Sequence, residues 1–181
     1  MKGFVFTEFL EMVDDKFSPD LTERIVDQAD VPSGCAYTAV GTYDHMELVQ
    51  LVVGLSKETG TAAPDLVRAF GAHLLGRFVV LYPEFFDGHA DPFTFLESVE
   101  NYIHIEVKKL YPDATLPSVA CERPSPDKLV VLYESERCLA DAAHGLIEGC
   151  LKHFGVEDQV TLTREDLSSG KSSRVRFELT R

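Results

Sequence analysis

Apolar residues recur at three- and four-residue spacing through the first sixty residues, a pattern that predicts helices. The first helix is expected to bury a stripe that runs from Phe6 to Phe17. Ser18-Pro19 then restarts a helix, because proline is tolerated at the first helical position. Asp44 and Glu47 resemble a capping box ahead of a third helix. These segments predict a helical N-terminal region.

Two further helices are predicted before residue 111. Pro64 begins the first, whose apolar face contains Leu66, Val67, Phe70, Leu74, Leu75 and Phe78. Asp91 can cap the second, Pro92 occupies its first turn, and Tyr111-Pro112 ends it. Its apolar face is formed by Phe95, Leu96, Val99, Ile103, Val107 and Leu110. His104 lies at the edge of that face, where a histidine is either a hydrogen-bonded boundary residue or a metal ligand.

From residue 118 onward the pattern changes to short segments rich in Val, Leu and Thr. Residues 118–121, 128–133, 159–165 and 174–179 are predicted strands. A helix from about Cys138 to Phe154 separates the second strand from the third, and Gly155 ends it. Helices first and strands last predict an α+β fold, with a small antiparallel sheet of about four strands in a single domain.

The end of the second predicted strand carries Tyr133, Ser135 and Arg137 at alternate positions. In an extended chain these side chains project to one side. An arginine fork binds a carboxylate with paired hydrogen bonds, and hydroxyl groups can bind the same acid. The alternative is an exposed strand end, with Arg137 paired to Glu134 or Glu136.

The combination of His104, Leu110-Tyr111-Pro112-Asp113-Ala114-Thr115-Leu116-Pro117 and the Tyr-x-Ser-x-Arg of residues 133–137, together with Met1-Lys2-Gly3, resembles the H-NOX family of haem nitric oxide/oxygen binding domains. The resemblance covers essentially the whole chain and is closest to the bacterial stand-alone type. It implies haem b held between a distal helical subdomain (about 1–62) and a proximal subdomain (about 63–181). His104 would be the axial iron ligand. Tyr133, Ser135 and Arg137 would hold the propionates, and Pro117 would press on the porphyrin face.

The resemblance also implies which residues line the distal pocket. Oxygen-binding members carry a distal tyrosine as hydrogen-bond donor, and the matching position here is Ala142. The neighbouring pocket positions are apolar as well: Val5, Phe9, Leu74, Phe78 and Leu146. His73 and His144 are offset from these positions and are expected to point elsewhere. We therefore expect NO and CO binding without a stable O₂ complex.

Composition limits the classes of partner. The formal net charge of −13 argues against nucleic acid and anionic membrane surfaces. No stretch has the length of apolar sequence that crosses a membrane, and the acidic N-terminus does not suit a signal peptide, so a cytoplasmic location is predicted. Some H-NOX relatives bind zinc near the C-terminus, but residues 166–172 contain no Cys or His. Cys138 is discounted as a ligand, and no zinc is expected.

The leading hypothesis is a non-enzymatic haem gas sensor that regulates a separate signalling protein. By family resemblance that partner is a histidine kinase or a cyclic-di-GMP cyclase or phosphodiesterase. One alternative is an oxygen-binding haem protein. Another is a haem-free redox sensor that works through the thiols of Cys35, Cys121, Cys138 or Cys150.

Overall fold

The computed structural model describes residues 1–137, 139–168 and 172–181. The helices are α1 (Gly3–Lys16), α2 (Pro19–Gln28), α3 (His45–Thr59), α4 (Ala63–Leu81), α5 (Pro92–Ser98), α6 (His104–Leu110) and α7 (Ala140–His153). A 3₁₀ turn covers Pro83–Phe85, and a π-helical segment, Val99–Ile103, joins α5 to α6. The strands are β1 (Ser118–Ser125), β2 (Lys128–Ser135), β3 (Thr161–Asp166) and β4 (Ser173–Thr180).

The strands in the described part of the chain form a four-stranded antiparallel sheet in the order β1-β2-β4-β3. This confirms the predicted α+β class. Within the described ranges, no helix combines the length and apolar character needed to cross a lipid bilayer.

The chain divides into two compact units, Met1–Phe70 and Gly71–Arg181. In the first unit Phe6, Phe9, Met12 and Val13 of α1 are fully buried. The ring of Phe9 meets that of Phe70 edge to face, with centroids 5.3 Å apart. Burial of each such side chain stabilises the fold by about 1.5–3 kcal/mol. Phe17, predicted to continue the stripe, is instead 41% exposed because α1 ends at Lys16.

The predicted capping box before α3 is half correct. The side chain of Asp44 accepts the main-chain N–H of Met46 at 2.9 Å, as a helix cap does. The Glu47 carboxylate does not return to the cap. It is buried and accepts the hydroxyl hydrogen of Tyr37 at 3.0 Å and that of Ser33. Two hydroxyl donors thus satisfy a buried acid that the sequence pattern assigned to the helix end.

In the second unit, α5 and α7 pack on one face of the sheet. Side chains alternate between the two faces of a strand, and every second residue of β4 is accordingly buried. The shared core includes Phe93, Phe95, Leu96, Leu129, Val131, Tyr133, Ile147, Cys150, Leu151, Val175, Phe177 and Leu179. This core fixes the strand end that carries the Tyr-x-Ser-x-Arg motif.

The π-helical segment was not predicted and it explains one error. The main-chain N–H of His104 donates to the carbonyl of Val99, five residues earlier, instead of the usual four. The extra residue in that turn rotates everything after it relative to the face of α5. Leu110, predicted to be apolar-facing from an uninterrupted helical period, is consequently 58% exposed.

Candidate functional site

His104 opens α6 directly after the π-helical segment. Its Nδ1 lies 3.1 Å from Oε2 of Glu100, and its side chain is 16% exposed. A carboxylate only accepts hydrogen bonds at neutral pH, so this contact favours the tautomer with hydrogen on Nδ1. The lone pair of Nε2 is then left for another partner.

The surroundings of His104 also favour its neutral form. Burial lowers the pKa of His104 below its usual value of 6.5, and Lys108 acts in the same direction, whereas Glu100 opposes both. A neutral imidazole is the form that ligates a metal. The ring therefore has the protonation state that an axial ligand needs.

His104 lines a depression of about 250 Å³ on the surface of the second unit. Glu100, Ile105 and Lys108 contribute the helical wall, and the segment 116–118 contributes the other. Pro117 belongs to that second wall. The structure thus places Pro117 and His104 against the same space.

Tyr133, Ser135 and Arg137 lie at the end of β2, as the sequence predicts. Tyr133 is buried and pairs across the ladder with Val119 of β1 and Val175 of β4. The hydroxyl of Ser135 accepts the main-chain N–H of Arg137 at 3.2 Å. Arg137 lies just beyond the strand, in a turn.

The guanidinium of Arg137 is held by the main chain. Its Nη1 donates to the carbonyl oxygen of Thr115 at 2.8 Å. Among the described residues, no ion pair joins it to Glu134 or Glu136, the partners of the alternative interpretation. Because Thr115 lies two residues before Pro117, this bond ties the motif to the segment that lines the His104 depression.

A second connection runs through Glu100. Its Oε2 also accepts the main-chain N–H of Val119 at 3.0 Å, and Val119 is the ladder partner of Tyr133. The structure therefore brings His104, Pro117 and the motif of residues 133–137 together in one region of the second unit.

Four of the predicted distal positions lie on α4 and α7, also in the second unit. These helices approach closely at Gly71, where an added Cβ would lie 2.1 Å from the carbonyl oxygen of Ala142. Leu74 is buried, and Phe78, Ala142 and Leu146 are half-buried. Val5 and Phe9 belong to α1 of the first unit, where Val5 is half-buried and Phe9 is fully buried.

His144, on α7, lies against the sheet. The centroid of its ring is 5.5 Å from that of Phe177 in β4, and its Nε2 is 3.8 Å from a carboxylate oxygen of Glu148. The contact with Phe177 places His144 on the side of α7 that faces the sheet. Ala142 and Leu146 lie on the side of α7 that approaches α4.

The model of the haem-NO-binding family matches residues 2–162. This chain belongs to the haem-NO-binding, or H-NOX, family. Among solved structures, the Fe(II) unliganded H-NOX protein from K. algicida is 33% identical, with a TM-score of 0.90 over 99% of this chain and 96% of that chain. The H-NOX protein from S. oneidensis in the Fe(II)NO ligation state is 23% identical and has the same fold, with a TM-score of 0.85 over 100% of both chains.

A search of the curated proteins found no match. The family and the fold predicted for the chain are nonetheless confirmed, and the chain is a haem-binding gas-sensor domain. The predicted division near residue 62 into distal and proximal halves stays a prediction, because the compactness of a unit does not say which side of a haem it covers.

The three thiols that the structure describes do not favour the redox alternative. Burial raises the pKa of Cys121 to about 12 and also raises those of Cys35 and Cys150. A reactive thiol needs a lowered pKa, because the thiolate is the nucleophile. Cys138 lies outside the described residues.

In the described ranges, no three His, Cys, Asp or Glu side chains are arranged to hold a metal ion. Cys138 and residues 169–171 lie outside those ranges, so the absence of zinc stays a prediction.

Glu100 is the residue of this region that the sequence reasoning missed. A signal for it existed, since an acid four residues before a histidine on a helix is placed to contact it. The carbonyl of Thr115 is the other missed group. It left no signal, because every residue has a main-chain carbonyl and only the fold selects one.

Proposed function

We propose that this H-NOX chain holds haem b through His104, binds NO and CO at the ferrous iron, and regulates a separate signalling protein. The strongest support is the state of His104. Its Nδ1 is engaged by Glu100, burial keeps the ring neutral, and the side chain lines an open depression beside Pro117. Nε2 is the atom that would bind the iron, and Pro117 would contact the porphyrin face.

The propionates would be held by Tyr133, Ser135 and Arg137. The guanidinium of Arg137 carries several N–H donors in a planar fork, and its hydrogen bond to Thr115 uses Nη1. The remaining donors can pair with a carboxylate. Since the Thr115 bond also fixes the direction of the fork, less side-chain freedom would be lost when a propionate binds.

Bound haem would supply an iron that can take up a diatomic gas, and His104 would hold that iron from the protein side. The residues proposed to surround the gas are Ala142, Leu74, Phe78, Leu146, Val5 and Phe9, whose side chains carry no hydrogen-bond donor. Bound O₂ needs such a donor far more than NO or CO does. The apolar set therefore supports NO and CO as the ligands and disfavours O₂.

The proposed partner is a histidine kinase or a cyclic-di-GMP cyclase or phosphodiesterase. A formal net charge of −13 favours association with a basic surface on that protein and disfavours nucleic acid or an anionic membrane. The cytoplasmic location stays a prediction that accompanies this partner.

The deciding experiment is anaerobic absorption spectroscopy of the purified ferrous protein, alone and with NO, CO and O₂. We expect a Soret band that shifts with NO and CO and does not form a stable O₂ spectrum. A colourless protein after expression with ample haem would contradict haem binding. A stable O₂ spectrum in air would contradict NO selectivity and favour the oxygen-binding alternative.

Ligation by His104 is tested by His104→Gly, with His45→Gly as the matched control. The cavity left by the imidazole should make haem retention depend on added imidazole. His45, the first residue of α3 in the other unit, should have no such dependence. Full haem retention by His104→Gly without imidazole would rule out His104 as the anchor.

A further inference from the structure

We propose that Glu100 is the positioning residue of the axial ligand. Its carboxylate accepts the Nδ1 hydrogen of His104, fixes the orientation of the ring, and increases the electron donation from Nε2. The inference rests on the proposed function, because it takes His104 as the iron ligand.

The carboxylate is held from two sides. Oε2 of Glu100 lies 3.1 Å from Nδ1 of His104 and 3.0 Å from the main-chain nitrogen of Val119. Val119 is part of the β1–β2 ladder, so its N–H cannot follow a rotating side chain. If Glu100 turned away from the histidine, it would therefore lose the hydrogen bond from Val119 as well as the one from His104. This restriction operates even though the Glu100 side chain is 42% exposed.

The negative charge of Glu100 is not neutralised by a neighbouring base. Among the described residues, no lysine or arginine forms an ion pair with it. The nearby Glu106, by contrast, pairs with Lys109 at 2.6 Å. Lys108 lines the same depression as Glu100 without bonding to it. Among the described residues, the Glu100 carboxylate therefore bonds to His104 and Val119 without a competing salt bridge.

The local backbone produces this arrangement. Glu100 lies inside the π-helical segment and His104 directly follows it, with the main-chain N–H of His104 bonded to Val99. The two side chains come from one helical turn and meet on the side that faces β1. Isolated π-helical turns occur often at functional sites. Here the π-helical turn brings His104, its hydrogen-bond acceptor Glu100 and strand β1 together.

A carboxylate bonded to a ligating histidine raises the basicity of the ligand, and loss of such a partner costs about 10–100-fold in metal affinity or activity. Stronger donation from Nε2 favours ferric over ferrous iron. A tenfold loss of that preference corresponds to a rise in the one-electron reduction potential of about 59 mV.

The test compares Glu100→Ala, Glu100→Gln and the control Glu106→Gln in the haem-loaded protein. The readouts are the haem reduction potential and the Fe–His stretching frequency of the ferrous form by resonance Raman spectroscopy. We expect Glu100→Ala to raise the potential, about tenfold in the ferric-to-ferrous equilibrium, and to lower the stretching frequency. Glu100→Gln keeps an acceptor oxygen and should fall between Glu100→Ala and the unmodified protein, while Glu106→Gln should change neither value.

The proposal is overturned if Glu100→Ala matches Glu106→Gln in both readouts, or if Glu100→Gln is no closer than Glu100→Ala to the unmodified protein. These outcomes are separable from failure of the proposed function. If haem retention by His104→Gly depends on imidazole but Glu100→Ala has no effect, only the role of Glu100 is refuted. If His104→Gly retains haem without imidazole, ligation itself is refuted.

Discussion

Two glycines in α4 are predicted to respond in opposite directions to the same substitution. A Cβ added at Gly71 would lie 2.1 Å from the carbonyl oxygen of Ala142 and 3.0 Å from the main-chain nitrogen of Leu146. A Cβ added at Gly76 meets nothing within 4 Å. Both positions are interior to the same helix, so each serves as the reference for the other.

The magnitudes follow from these contacts. Alanine is favoured over glycine inside a helix by about 0.8–1.0 kcal/mol, and Gly76→Ala should gain most of this. Gly71→Ala gains the same amount, but overpacking costs about 1–3 kcal/mol and sometimes more. The obstructing atoms are main-chain atoms of α7, which cannot swing aside as a flexible side chain would. The upper part of that range applies, so Gly71→Ala should destabilise the fold by about 1–2 kcal/mol.

The assay is urea unfolding followed by far-ultraviolet circular dichroism. The midpoint should rise for Gly76→Ala and fall for Gly71→Ala relative to the unmodified chain. Equal midpoints for the two variants would refute the close main-chain approach of α4 and α7. That approach is what places Ala142 and Leu146 beside α4, so the proposed distal pocket depends on it.

Three further predictions concern the haem and the thiols. Arg137→Ala should speed haem loss to a haem acceptor protein, because a charge-assisted hydrogen bond worth about 1.5–3 kcal/mol is removed; Arg137→Lys should be intermediate, and unchanged off-rates would contradict the role of the fork. Ala142→Tyr should introduce measurable O₂ affinity in the ferrous protein by adding a donor, and an absorption titration showing none would contradict the placement of Ala142 in the pocket. Burial raises the pKa of Cys121 to about 12, so the stability linked to its protonated thiol is fully present below the unfolded value of 9.0 and is lost as the pH rises from there through about 12. Alkylation of Cys121 at pH near 8, followed by mass spectrometry, should therefore be much slower in the folded than in the unfolded chain, and equal rates would contradict its burial.

The elements that were predicted best are those with long, regular patterns. The helices from Pro64 and from Pro92 were found, since each has a proline at its start and a clear apolar period. All four strands were predicted, but several of their ends were predicted too short, and the third begins at Thr161 and not at residue 159. β1 continues to Ser125 and β2 to Ser135, because ladder hydrogen bonds persist where the side chains are already polar. Strand ends are set by pairing partners, which a single segment does not reveal.

The parts of the site that were missed depend on contacts between distant segments. The π-helical turn before His104 has no residue signature, because it is a change in main-chain bonding. The bond from Arg137 to the carbonyl of Thr115 joins two loops that are far apart in sequence. The bond from Val119 to Glu100 likewise requires that β1 lie beside the helix. Side-chain chemistry could be read from the sequence, whereas main-chain partners could not.

The helical segment that carries His104 is packed less tightly than the core of its unit. From Val99 to Leu110, all of which are described, no side chain is fully buried, while β2, β4 and α7 form the core. Segments with few buried apolar contacts open at lower free energy than the core does. The position of this helix therefore depends on individual hydrogen bonds, those from His104 and Val119 to Glu100, more than on burial. If His104 ligates iron as proposed, a change in that bond would act on a segment that is less firmly packed than the core, while the strand that carries Tyr133 stays fixed by the core.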